Sequence, residues 1–286
     1  MWGELAFGVG ANALTVALTF FGLGLPYLVS RRRKQLRFFG INPDRPNLVI
    51  YLSGVPVDLA ERAAGHSRLI KGFKGTLVFK TESEAANMIA AEFSNAFSTY
   101  FPSKVKDFAK EASPRFLRVR PIISISPDID PLSAASHLRN ESTICVGSHV
   151  YNSATYHYQR ELSCFFRFDE IEGELRVVTS ETAKVIYEGR SKKRELAIVQ
   201  RLKNNHSSEK TVIICAGTGQ NATKGAAVHL LNNWEAYQRR FGDSPFGVCL
   251  AFPTQSPEAE EVPQIQVLRV LPDPAPALAE ASASGE

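Results

Sequence analysis

Apolar and polar positions along this chain fall into runs of two kinds. Some stretches are apolar almost without interruption and have the length of strands: NLVIYLSG (47–54), GTLVFK (75–80), FLRVRPIISIS (116–126), STICVGS (142–148), TVIICAG (211–217), GVCLAFP (247–253) and IQVLRVL (265–271). Their Val, Ile and Leu content is that of strands covered on both faces. Between them lie segments of helical period. TESEAANMIAAEFSNAF (81–97) carries Thr81 and Glu84 at the spacing of a capping box. Asn152 and Ser153 are N-cap types ahead of ATYHYQREL, and an Ala-rich helix follows GTGQ at 217–220. Strands alternating with helices predict an α/β domain built on a Rossmann-like, mostly parallel sheet. ELRVVTS, AKVIYEG and ELAIVQRLK (174–203) follow one another without a helix. They predict a β-hairpin or meander insert.

The longest apolar run is at the start. Residues 5–29, LAFGVGANALTVALTFFGLGLPYLV, contain no charge, and about 20 apolar residues are enough to span a bilayer as a helix. Glu4 precedes the run and Arg31, Arg32, Arg33 and Lys34 follow it. That order is the reverse of a cleaved signal peptide. It predicts a retained, single-pass transmembrane anchor in an inner or plasma membrane, with the N-terminus outside and the C-terminal domain cytoplasmic. Ala6, Gly10, Ala13, Ala17 and Gly24 share one face of such a helix, the small-residue pattern of a membrane-helix interface. The expected partners are therefore the lipid bilayer and further copies of the chain. The division is a membrane anchor with a basic stop over 1–35, a cytosolic domain over 36–271, and a Pro/Ala/Ser/Glu-rich disordered tail over 272–286.

Composition narrows the chemistry. Net charge is +4, much of it between Arg31 and Arg37, so direct nucleic-acid binding is not expected. The four cysteines have no CxxC or Cys/His ligand spacing. They read as buried, reduced thiols, and no metal is expected.

Three predicted strands end in small, polar, glycine-containing loops: Ser53-Gly54, Gly147-Ser148 and Gly217-Thr218-Gly219. In open α/β sheets ligands bind beyond the carboxyl ends of the strands. Asn152 belongs to the second loop, and Asn221 and Lys224 to the third. Backbone N–H groups at a helix start stabilise an anion, so the 217–225 loop is a candidate phosphate cradle. The alternative is that its glycines let the following helix lie close to the sheet. It meets neither the G-x-G-x-x-G fingerprint nor the P-loop, because Lys224 is followed by Gly225. Catalytic candidates are Glu181 and Glu235 as bases and His149 or His157 with Glu161, though no spacing pairs them. Phe165, Phe166, Phe168, Tyr151, Tyr156 and Tyr158 are candidates for stacking on a base.

One apolar helix, a basic stop, a Rossmann-like domain and the loops GSHVYNS and GTGQNATKG together resemble the membrane-bound effectors of prokaryotic anti-phage and CRISPR-linked signalling. Their CARF- or SLOG-type domains bind a cyclic or modified nucleotide. The resemblance implies that Gly147, Ser148, Asn152, Gly217, Thr218, Gly219 and Asn221 face a nucleotide. The expected function is a membrane-anchored nucleotide sensor or effector. The alternatives are a nucleotide- or NAD-cleaving enzyme on the same fold and a tethered interaction platform without a small ligand.

Overall fold

A computed structural model describes residues 25–42, 44, 46–56, 76–94, 119–125, 141–171, 174–179, 185–187, 194–204, 207–253 and 265–272. Chain order begins with α1 (Leu25–Phe38), β1 (Asn47–Leu52), β2 (Val55–Pro56), β3 (Thr76–Leu77), α2 (Lys80–Ser94), β4 (Arg120–Ile125), β5 (Ser142–Val146) and α3 (Ser153–Glu161). It continues with β6 (Phe166–Ile171), β7 (Glu174–Thr179), β8 (Val185–Tyr187), β9 (Arg194–Asn204), β10 (Ser207–Gly217), α4 (Gln220–Phe241), β11 (Phe246–Pro253) and β12 (Gln266–Leu271).

The main sheet has seven strands in the order β12-β11-β9-β10-β5-β1-β4. β10, β5, β1 and β4 run parallel. β9, β11 and β12 are added antiparallel. The expected mostly parallel sheet is therefore wrong: the sheet is mixed, with parallel pairing confined to one half. β9 has a physical reason to run antiparallel, since only residues 205–206 separate it from β10 and a parallel crossover needs a dozen or more. The insert is displaced as well. β6, β7 and β8 form a separate three-stranded meander, whereas Arg194–Asn204 sits between β10 and β11 in the main sheet.

The sheet carries a core on each face. On one side, α1, α2 and α4 cover Leu48, Ile50, Ile144, Val199, Ile213 and Val248 with Phe38, Phe39, Ile89, Phe93 and Leu230. On the other, α3 and the small sheet cover Val49, Cys145, Ile198, Val212 and Ile214 with Tyr158, Phe166, Phe168 and Val177. Alternate residues of one strand thus enter opposite cores, and for this reason these strands are apolar throughout. Gln200, wholly buried, joins the layers. Its side-chain oxygen accepts from the N–H groups of Phe165 and Phe166, and its amide donates to the Phe166 carbonyl at 2.7 Å.

The expected anchor needs correction. Among the described residues no helix is long and apolar enough to cross a membrane, so the single-pass topology and the membrane localisation lose their support. Residues 5–24, and with them Ala6, Gly10, Ala13, Ala17 and Gly24, lie outside the described residues. Pro26–Val29 instead continue into the basic run as one helix, α1, which crosses the expected boundary at 35–36. That run packs onto the domain and does not behave as a basic stop. Arg32, Gln35, Leu36 and Phe38 are buried. Arg32 donates to the Phe93 carbonyl at 2.6 Å and to Gln35, Gln35 donates to Glu92, Arg31 pairs with Glu235, and Arg37 pairs with Asp243. Arg33 and Lys34 keep to the surface, where with Pro26, Val29, Ser30 and Arg37 they line an open groove of about 380 Å³.

Candidate functional site

Strand order creates the site. From β1 the chain moves outward to β4, then returns past β1 to β5 and on to β10. Such a reversal is where open α/β sheets form their crevice, here between the carboxyl ends of β1 and β5. Ser53-Gly54 ends β1 and Gly147-Ser148 ends β5, so two of the three predicted loops face each other across it. The Gly147 N–H donates to the Cys215 carbonyl at 3.0 Å and ties in the end of β10.

Asn152 organises this edge. It is wholly buried; its side-chain amide donates to the carbonyls of Tyr51 at 3.1 Å and Val146 at 3.0 Å, and its oxygen accepts from the Thr155 N–H. One side chain therefore joins β1 to β5 and caps α3. Thr155 adds a bond from its hydroxyl to the Gly147 carbonyl. Gly147 has φ +123°, a conformation L side chains rarely adopt. A Cβ there would meet Ser53 Oγ at 2.1 Å and Glu82 Oε1 at 3.0 Å.

Glu82 was not anticipated. It occupies the first turn of α2 and is only 4% exposed. Its Oε2 accepts from the Ser53 N–H at 3.1 Å. Burial pushes its carboxyl up to about 7, against the opposing pull of the hydroxyl and N–H of Ser53. The Ser53 hydroxyl is wholly buried beside it. A signal was present in the sequence: Glu82 falls on the apolar stripe of Ala85, Ala86, Ile89 and Phe93, where a charge is out of place. The capping box expected from Thr81 and Glu84 does not form. α2 starts at Lys80, the Thr81 hydroxyl donates to Gln220, and Glu84 binds Lys224 at 2.6 Å.

The third loop turns away from the crevice. Thr218 is bound to β9: its N–H donates to the Leu196 carbonyl at 2.8 Å and its hydroxyl accepts from the Leu196 N–H at 3.0 Å. Gly217 lies against the first turn of α4, where a Cβ would meet Thr223 N at 2.6 Å. Gly219 is the N-cap of α4 with φ −151°, extended backbone open to any residue. Its missing side chain matters for space: a Cβ would lie 2.4 Å from the Glu195 carboxyl carbon. Glu195, 5% exposed, accepts from the Ala222 N–H at 3.0 Å. The chain's own carboxylate thus sits at the helix start read as a phosphate cradle. Asn221 is exposed and Lys224 reaches α2, so neither joins Ser53 and Gly147.

Above the crevice, Gly54 N–H donates to the Tyr151 carbonyl at 3.2 Å. Phe79 and Tyr151 meet edge to face at 5.5 Å, and Tyr151 is half exposed with Val150 beside it. The other aromatics are placed otherwise. Phe166, Phe168 and Tyr158 are core residues, Phe165 packs against them, and Tyr156 holds Arg160. His149 stacks on Phe168 and His157 meets Tyr158. Glu161, at the C-terminal end of α3, is exposed. Glu235 is bound to Arg31, and Glu181 lies outside the described residues. Burial pushes the thiols of Cys164, Cys215 and Cys249 up to about 12 and that of Cys145 further, which removes them as nucleophiles near neutral pH.

Comparison of the chain with protein-family models, with curated proteins and with solved structures finds no match.

Proposed function

We propose that this domain is a non-enzymatic nucleotide-binding module, with the ligand held at the carboxyl ends of β1 and β5. The observation that carries this reading is the reversal of strand order at β1. It places Ser53, Gly54, Gly147 and Ser148 around the crevice where open α/β sheets take their ligands. Tyr151, half exposed and braced by Phe79 at its mouth, offers a base a stacking surface. Titration calorimetry with the common ribonucleotides and their cyclic forms tests the reading. A saturable one-to-one isotherm is expected, weakened by Tyr151→Ala about tenfold, the effect of losing one base–aromatic contact. An absence of heat and of thermal stabilisation across the panel would overturn it.

A second reading, cleavage of a nucleotide's glycosidic bond, has one observation of its own. The carboxyl of Glu82, raised to about 7, holds a proton near neutral pH as a general acid must. Chromatography of NAD and nucleotides incubated with the protein separates the two readings. Release of a free base, abolished by Glu82→Gln, favours the enzyme, and an intact ligand favours the module.

A further inference from the structure

We propose that the outward face of α1 is a binding surface for single-stranded nucleic acid, with Arg33, Lys34 and Arg37 on the phosphates and Tyr27 against a base. This goes beyond the nucleotide reading and uses another part of the molecule. The crevice lies at the carboxyl edge of the sheet. α4 starts at that edge and returns to the opposite one, since β11 runs in the same direction as β10. Arg37 pairs with Asp243 just after the end of α4.

Net charge gives no cause to expect such a partner; the placement of the charge does. Pro26, Val29, Ser30, Arg33, Lys34 and Arg37 recur at intervals of three and four and so share one face of α1. Val29 is half-buried and the others are exposed. They line the open groove of about 380 Å³, and among the described residues no carboxylate lines it. α1 has no acidic residue of its own. Glu235 and Glu92 meet α1 on the side turned to the domain, at Arg31 and Gln35. Asp243 accepts from Arg37 through a single oxygen, and the Arg37 side chain is still 72% exposed. A guanidinium carries five N–H donors, so it can take a phosphate as well. Arg239 is exposed one turn beyond Glu235, on the flank of α4 turned to α1, and extends the positive surface.

Shape and composition select the polyanion. From Pro26 to Arg37 the face runs about 16 Å at about 1.5 Å per residue. That is room for about four or five nucleotides of a strand at about 3.4 Å each. Proteins hold single strands in positively charged grooves with aromatic rings on which bases stack. Tyr27, 65% exposed, lies one turn from Ser30 and two turns from Lys34 on the same side of the helix. A bilayer surface would require large apolar side chains on the outward face, whereas α1 buries Leu36 and Phe38 in the core. A duplex would require a helix that enters its major groove, whereas α1 is held against α2 and α4 through Arg32 and Arg31.

The test is fluorescence anisotropy of the full chain with a labelled oligouridine of about ten nucleotides, between about 50 and 200 mM salt. Micromolar binding is expected, weakening with salt at a logarithmic slope of about −2, as for three phosphate contacts at about 0.7 each. Arg33→Glu and Lys34→Glu should each weaken it by about tenfold or more, at unchanged melting temperature because both residues are exposed. Tyr27→Ala should weaken it about tenfold with the salt slope unchanged, as for one lost base–aromatic contact. Mononucleotides are not expected to compete. No binding, binding that Arg33→Glu and Lys34→Glu leave unchanged, or displacement by a mononucleotide overturns the proposal. So does displacement by polyglutamate with no effect of Tyr27→Ala, the result for an acidic protein partner. Attachment to phosphatidylserine vesicles without binding of the strand, the result for a lipid surface, overturns it too. Each of these outcomes leaves the nucleotide reading of the crevice to its own calorimetry.

Discussion

At the scale of single residues, the carboxyl edge of the sheet is governed by where two carboxylates came to rest. Glu195 fills the space that Gly219 leaves, so Gly219→Ala is expected to displace it. The cost should be about 1–3 kcal/mol, as for other overpacked sites, read from urea denaturation. A change below about 0.5 kcal/mol, the ordinary surface value, would show that Glu195 moves aside freely. Gly225→Val should destabilise for a different reason, because a Cβ there would meet the Phe252 ring at 2.2 Å. Glu82 sets a pH dependence. Its folded pKa of about 7 lies above the unfolded 4.5, so between those values the folded state binds more protons. The stabilisation is complete below about 4.5 and is lost as pH rises through about 7. The difference corresponds to about 3 kcal/mol at most. Glu82→Gln should therefore gain stability relative to the parent at pH 8 compared with pH 5. His229, whose pKa burial lowers, acts in the other sense as pH falls. Only the difference between the two proteins isolates Glu82, and parallel melting curves at both pH values would refute the assignment.

At the scale of elements, α1 shows how far a charge pattern can mislead. Five basic residues in seven positions after an apolar run have the form of a membrane stop. In the fold, three of them hold α1 to α2, to α4 and to the turn after α4. Arg32 lies over the Phe93 ring and binds the Phe93 carbonyl, Arg31 lies over Trp234, and Arg37 reaches Asp243. Arg32→Ala should cost about 2–3 kcal/mol, since a buried carbonyl and Gln35 lose a charged donor. Lys34→Ala, on the exposed side of the same helix, should stay within about 0.5 kcal/mol. Equal effects of the two would mean that α1 is not docked through Arg32. The periodicity of α2 was legible in the sequence, as was the strand character of β1, β5, β10 and β11. The true start of α2 was not. Thr81 and Glu84 have the right spacing for a cap, but Gln220 and Lys224, about 140 positions away, take both of them.

At the scale of the whole molecule, the two layers on the far face depend on β9. Its central place lets Gln200 bind three backbone groups of the small sheet, two N–H donors and one carbonyl. Gln200→Leu leaves those groups buried and unpaired. It should lower stability by about 3 kcal/mol, at roughly 1 kcal/mol for each group. Amide exchange in β6 and β7 should quicken more than in β1 and β5. Uniform quickening throughout would instead mean that the small sheet and the main sheet open as one unit.

The sequence by itself determined where the strands of the main sheet and the helices α2, α3 and α4 lie to within their ends, and which strand ends carry small polar loops. Both follow from local terms: the burial free energy of alternate or continuous apolar side chains, and the preferences of Gly, Ser and Asn at turns. Only the tertiary structure decided the direction of β9, β11 and β12, because a strand covered on both faces has the same apolar composition whichever way its neighbours run. It also decided the fate of the charges. Whether a lysine or a helix start is free for a phosphate depends on which carboxylate the fold brings to it, and Glu84 and Glu195 arrive from segments that no spacing rule links to the 217–225 loop.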